Sequence, residues 1–147
     1  MRWTETLGNK AYFYRKMLWA KQYMDQHFAE ELDIAQVANQ ACFSKFDFIR
    51  QFKKTYHRTP YQYLKFIRLH RAAILLRSGQ YSVQEVCFQV GYTSLSSFSG
   101  LFKSAYDQSP NKYLQAHKAR ARQQAIGPSC VIPACFATLQ SCIKQQF

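Results

Sequence analysis

Basic, hydroxyl and aromatic side chains recur along this chain at spacings that gather them on one side of a helix. Residues 44–54 read Ser44-Lys45-Phe46-Asp47-Phe48-Ile49-Arg50-Gln51-Phe52-Lys53-Lys54. On a helix, positions 46, 49, 50 and 53 share a face opposite Phe48 and Phe52, because side chains three and four apart are neighbours. A planar guanidinium such as that of Arg50 can donate two parallel hydrogen bonds to a rigid pair of acceptors, O6 and N7 of guanine among them. Phe46 and Ile49 offer apolar contact to thymine methyls or sugars, or else ordinary packing against a neighbouring helix. Lys53 and Lys54 offer point charges for phosphate. This is chemistry of binding rather than of bond breaking. The chain has no paired-carboxylate site, Ser-His-Asp arrangement or phosphate-cradling glycine loop, and His27, His57, His70 and His117 are scattered. No catalysis, metal or cofactor is expected.

Charge points to the same kind of partner. Twenty Lys and Arg against eight Asp and Glu leave a net charge of +12, an excess that repels itself and is most simply explained by a polyanion. Charge alone leaves a solvated basic surface or an anionic membrane surface open. No stretch approaches the roughly 18 apolar residues of a membrane span, and the N-terminus MRWTETLGNK lacks an apolar signal core, so a cytoplasmic, nucleoid-associated protein is expected. Hydrophobic residues make up 48% of the 147, enough to bury a core in one compact domain or in two small ones sharing a helix. Cys42, Cys87, Cys130, Cys135 and Cys142 read as reduced thiols. The last three run C-x4-C-x6-C, which fits neither a zinc nor a redox spacing, with a disulfide or metal there as the lesser alternative.

An internal repeat organises the chain. Fifty positions beyond residues 44–53 stands Ser94-Leu95-Ser96-Ser97-Phe98-Ser99-Gly100-Leu101-Phe102-Lys103, where Ser, both Phe and Lys coincide. The match continues through Tyr56 and Tyr106, Thr59-Pro60 and Ser109-Pro110, and Tyr63-Leu64 and Tyr113-Leu114. One residue out of phase upstream, Asp33-Ile34-Ala35-Gln36-Val37-Ala38 faces Ser82-Val83-Gln84-Glu85-Val86-Cys87.

Each copy reads as helix, turn, helix. Asp33 and Ser82 are N-caps. Ile34, Val37, Ala38 and Ala41 form an apolar stripe, which Val83, Val86, Cys87 and Val90 repeat. Gly91-Tyr92 breaks the second copy with a residue suited to a left-handed turn. The first copy has Cys42-Phe43 there, which costs about 1 kcal/mol at positive φ, so its turn is expected to be strained or differently shaped. Ser44 and Ser94 cap the next helices, and Phe48, Phe52, Phe98 and Phe102 point into the core. Behind hydroxyl caps, Pro60 and Pro110 start further helices. The first of these covers residues 60–77, ends at Ser78-Gly79, and carries Lys65, Arg68, Arg71 and Arg77. A helix over residues 14–28, with Met17, Leu18, Tyr23 and Met24 apolar, precedes the first copy. The expectation is all-α: seven helices and no strand.

Two helix-turn-helix units joined by a long helix, and the series Val90-Gly91-Tyr92…Phe98…Phe102-Lys103…Ser109-Pro110…Tyr113, resemble the DNA-binding module of the AraC/XylS family over about residues 14–117. The resemblance implies a seven-helix tandem helix-turn-helix fold. Recognition helices at about 44–56 and 94–106 would enter successive major-groove segments of double-stranded DNA. It also implies a bacterial transcription regulator, usually an activator that touches RNA polymerase, monomeric on DNA because one chain holds two reading heads. The family's base-contacting slots fall on Lys45, Phe46, Ile49 and Arg50, then on Leu95, Ser96, Ser97 and Gly100. Ser44, Lys53, Lys54, Lys65, Arg68, Arg71, Ser94 and Lys103 are the phosphate candidates. Gly100 stands where a long polar side chain is common, and Leu95 replaces a polar residue. Direct readout is therefore expected from the first unit, with the second gripping phosphate and shape.

The resulting division is an N-terminal arm (1–13), a first unit (14–58), a linker helix (59–79), a second unit (80–120) and a tail (121–147). An arm of thirteen residues is too short for a sensing domain, so the chain reads either as a stand-alone regulator or as part of a longer one. The tail departs from the family, and its apolar segment 134–143 can be a docking helix. Three rivals remain: a non-specific architectural DNA binder, a repair-type fusion, which would need a four-cysteine metal cluster, and an interaction-only protein whose helices no longer read DNA, which the charge disfavours most.

Overall fold

The computed structural model describes residues 2–125. Among them are seven helices and no strand: α1 (Arg2–Gln26), α2 (Ile34–Gln40), α3 (Lys45–Tyr56), α4 (Pro60–Ser78), α5 (Val83–Gln89), α6 (Leu95–Tyr106) and α7 (Pro110–Ala125). The cysteines of the tail and segment 134–143 lie outside the described residues.

Local chemistry sets the helix starts. The side chains of Asp33, Ser44, Thr59, Ser82 and Ser94 each accept a backbone N–H from the first turn that follows, and Ser109 accepts from Lys112. Each such cap satisfies an otherwise orphaned donor and is worth about 1 kcal/mol. Thr59 with Gln62 and Ser82 with Glu85 complete reciprocal capping boxes. Helix ends use left-handed residues: His57 after α3, Gly79 after α4 and Asp107 after α6.

The two turns within the repeat are superimposable in their bonding. Phe43 N–H donates to Ala38 O at 2.9 Å and Cys42 N–H to Asn39 O at 2.9 Å; Tyr92 donates to Cys87 O and Gly91 to Phe88 O, both at 3.0 Å. This is the Schellman arrangement. Its left-handed residue is Cys42 (φ 57°) in one copy and Gly91 (φ 84°) in the other. The first turn is therefore strained but not differently shaped. The change of phase in the repeat is one inserted residue, Thr93, between the turn and the cap Ser94.

Two cores result. The first joins Met17, Ala20 and Met24 of α1, the α2 stripe, Phe48 and Phe52 of α3, and Leu64 of α4. The second joins Leu69, Ala72, Ala73 and Leu76 of α4, the α5 stripe, Phe98, Phe102, Tyr113 and Leu114. The linker helix thus belongs to both units: it closes the first and serves the second as α1 serves the first. Phe48, Phe52, Phe98 and Phe102 are fully buried, each contributing about 1.5–3 kcal/mol relative to exposure. A further tie fastens α1 to α4. Tyr63 Oη donates to Asp25 Oδ1 at 2.7 Å, and Lys21 Nζ donates to Asp25 Oδ2 at 2.9 Å.

Two expectations are corrected. The first helix begins at Arg2 instead of residue 14 and ends at Gln26 instead of residue 28. Residues 2–13 contain no proline and a single glycine, so nothing in them stops a helix propagating back from Tyr14. Leu18 is half-exposed, whereas Met17 and Met24 are buried.

Candidate nucleic-acid interface

The Ser44 and Ser94 caps set the outward faces of α3 and α6, and buried Phe pairs four apart clamp the opposite faces. On α3 this leaves Lys45, Phe46, Asp47 and Arg50 exposed. Phe46 is 85% exposed, more than any other large hydrophobic residue described. An apolar ring held in water by a helix whose other face is already packed has no structural task there. Ile49 departs from expectation: it is half-buried and packs against the first core. It neighbours Phe48 in sequence and lies three before Phe52, so it sits on the edge of the buried stripe.

A short chain of hydrogen bonds runs along the start of α3. Ser44 Oγ accepts from Asp47 N–H at 3.2 Å and donates to Asp47 Oδ2 at 3.0 Å, and Arg50 Nη2 donates to Asp47 Oδ1 at 2.6 Å. Asp47 was not among the sequence candidates, although its spacing of three from Arg50 was a visible signal. Both side chains are more than half exposed, so the pair holds Arg50 only loosely and yields it to a better acceptor.

On α6 the same face presents Leu95, Ser96, Ser97 and Gly100, all exposed. Ser94 Oγ and Ser96 Oγ lie 3.0 Å apart and share a hydrogen bond. A Cβ built on Gly100 would meet nothing within 4 Å, so the surface there is bare for reasons unconnected with packing.

The remaining basic candidates separate into groups. Lys53 and Lys54 are exposed in the last turn of α3, and Lys103 is exposed in the last turn of α6. Lys65 is exposed but lies in a groove of about 560 Å³ with His57, Arg58, Phe66 and Tyr106, where the Arg58 guanidinium sits 4.3 Å from the Phe66 ring centroid. Arg71 is exposed, its guanidinium 5.8 Å from the Phe28 ring. Arg68 is the second departure. Its Nε donates to Phe28 O at 2.7 Å and its Nη2 to Glu30 O at 2.8 Å, with Cζ 5.6 Å from the Tyr92 ring. Half-buried and engaged on two carbonyls, it is occupied within the protein itself; burial pushes its proton affinity down, and the carbonyls offset that cost.

Known proteins share this architecture. Residues 37–116 match the family model described as a helix-turn-helix domain. Over 92 residues the chain is 30% identical to the regulatory protein SoxS of Salmonella typhimurium, covering 63% of this chain and 86% of that one. Over 82 residues it is 38% identical to the HTH-type transcriptional regulator AlkR of Acinetobacter baylyi, covering 56% of this chain but only 27% of AlkR. The DNA-binding domain of AdpA, a global transcriptional factor crystallised with a target DNA, superposes with a TM-score of 0.69 at 30% identity, over 73% of this chain and 96% of that one. With its repeat, its paired turns and its shared linker helix, the chain belongs to the AraC/XylS family of tandem helix-turn-helix proteins.

Proposed function

We propose that this chain is a sequence-specific, DNA-binding transcription regulator whose α3 and α6 enter successive segments of the major groove. The observation that carries this reading is the pair of matching helix-turn-helix brackets on one linker helix, each presenting the start of its second helix to solvent on a strongly basic chain. In this reading Arg50 leaves Asp47 for the O6 and N7 of a guanine, a contact worth about 1–3 kcal/mol of discrimination. Phe46 lies against thymine methyls or sugars, and Lys45 reaches an adjacent base edge. Asp47, freed from Arg50, accepts from a cytosine amino group. Ser96 and Ser97 supply hydroxyls that bond to several bases, while Leu95 and Gly100 add shape rather than hydrogen bonds. Ser44, Ser94, Lys53, Lys54, Lys103, Lys65 and Arg71 serve the phosphates, and each neutralised phosphate releases counterion and steepens the salt dependence. One chain then suffices on DNA without a two-fold partner, in the cytoplasm and in reach of RNA polymerase. The longer relative AlkR extends well beyond the matched part, so the reading concerns the DNA-binding module.

Selecting duplexes from a random-sequence library, then titrating the winner and a scrambled control at two salt concentrations, tests this. The expected result is an asymmetric site with two blocks about one helical turn apart, the block under α3 carrying more information. The bare outer face of α6 favours a second reading, a non-specific architectural binder. Equal affinity for winner and control, both falling steeply with salt, would establish that reading instead.

A further inference from the structure

Besides the continuous helix α4, a loop of the first unit meets the second. Residues 27–31, between α1 and α2, leave the first unit and press against the second. Phe28 packs against both cores. A Cβ on Gly91 would stand 2.4 Å from Ala29 O and 2.9 Å from Ala29 C, so the turn before α6 touches this loop backbone to backbone. Arg68, on α4 between the units, holds the loop from behind by donating to Phe28 O and Glu30 O, and its guanidinium lies beside Tyr92 of the same turn. Two carbonyls of the first unit and one aromatic ring of the second therefore converge on a single side chain.

We propose that the 27–31 loop is a wedge fixing the relative setting of α3 and α6, with Arg68 as the positioning residue that seats it, so that the chain accepts its two DNA blocks at one spacing and phase. The proposal rests on the DNA-binding reading above. Its physical content is that two linked heads gain affinity only when the linkage lets both engage at once. One inserted base pair displaces the second block by about 3.4 Å along the axis and about 35° around it. A wedge held by a bidentate fork cannot follow that displacement; a hinge can. A lysine ammonium gathers its three donors on one flexible nitrogen and lacks the planar fork that reaches Phe28 O from Nε and Glu30 O from Nη2.

The experiment uses the full chain with Arg68→Ala and Arg68→Lys. Each is titrated against the selected duplex, against duplexes with one or two base pairs inserted between the blocks, and against the α3 block alone. Amide exchange of the free proteins is followed in parallel. For the wild type, an insertion is expected to cut affinity about tenfold or more, to near that of the single block. In Arg68→Ala the affinity for the selected duplex falls, that for the single block stays within about twofold, and the insertion penalty shrinks to about threefold or less. Exchange at 28–31 and 91–93 accelerates at least about fivefold, while α2, α3, α5 and α6 stay protected. Arg68→Lys follows Arg68→Ala, although it keeps the charge. An unchanged insertion penalty with unchanged exchange overturns the proposal. So does a parallel loss on every duplex with a salt slope lower by about one, the signature of a phosphate contact. If the wild type prefers no duplex, the DNA reading fails, and exchange alone decides the wedge: it stands if Arg68→Ala frees both segments and falls if neither responds.

Discussion

The turn after α2 and the turn after α5 trace the same path with the same two backbone hydrogen bonds, yet one turns on Cys42 and the other on Gly91. Cys42 is exposed, so its Cβ costs only the left-handed strain. Gly91 has the carbonyl of Ala29 where a Cβ would go, and no rotation of a side chain relieves a clash with backbone. One position thus tolerates a poor residue and its counterpart tolerates none, because only the second turn is an interface. The recognition helices differ in the opposite sense. The outer surface of α3 carries Lys45, Phe46, Asp47, Arg50, Lys53 and Lys54, whereas α6 offers hydroxyls, a bare glycine and Lys103 alone among cations. Repetition preserved the packed faces and left the exposed ones free to diverge.

Mutations sharpen this contrast, the strongest at the turns. Gly91→Ala combines left-handed strain of about 1–2 kcal/mol with an overpacking cost of about 1–3 kcal/mol. Urea unfolding should show a loss of that summed size, while Cys42→Gly should be neutral or stabilise by up to about 1 kcal/mol. Comparable losses at both positions would mean that the Ala29 contact does not constrain the fold.

Next come the recognition faces. Arg50→Ala should lose about 1–3 kcal/mol of preference for the selected duplex over a scrambled one in competition binding, and Ser96→Ala distinctly less. The reverse ranking would place the readout on α6 and undo the asymmetry.

Gly100→Ala tests whether α6 is bare for want of space. With nothing near the new methyl, thermal unfolding should show a gain of about 0.5–1 kcal/mol from helix propensity alone. A loss would reveal packing at that site.

The smallest expected effect lies at the caps. Glu85 accepts from Ser82 N–H at 2.7 Å, and that bond holds its carboxyl below the usual value. A depressed folded pKa contributes stability above the unfolded value, which is lost as pH falls through the folded one. The first copy has Gln36 at the matching position, with no proton to bind. The urea midpoint of the wild type should therefore fall relative to Glu85→Gln between about pH 5 and pH 3; parallel curves would show the capping box to be energetically idle.

Much of this was legible in the chain. The repeat, the caps at Ser44, Thr59, Ser82 and Ser94, the Phe pairs and the exposure of Arg50 all follow from spacing within a few residues, where helical geometry leaves little choice. For Ile49 the spacing left contact with DNA and packing both open, because a residue at the margin of a stripe is assigned to core or solvent by how closely the neighbouring helix approaches. Arg68 resembles any basic residue on an amphipathic helix; its carbonyl partners lie 40 and 38 residues away in sequence, beyond any periodicity.

By itself, then, the sequence determined the all-helical tandem architecture and which faces are buried, since both depend on local propensity and on hydrophobic period. Tertiary structure alone decided that Phe28 serves two cores, that Gly91 must be glycine for want of space as well as for its φ, and that Arg68 points inward. Each depends on where a loop from one unit meets a turn of the other. That meeting joins residues far apart in the chain, and no local pattern records it.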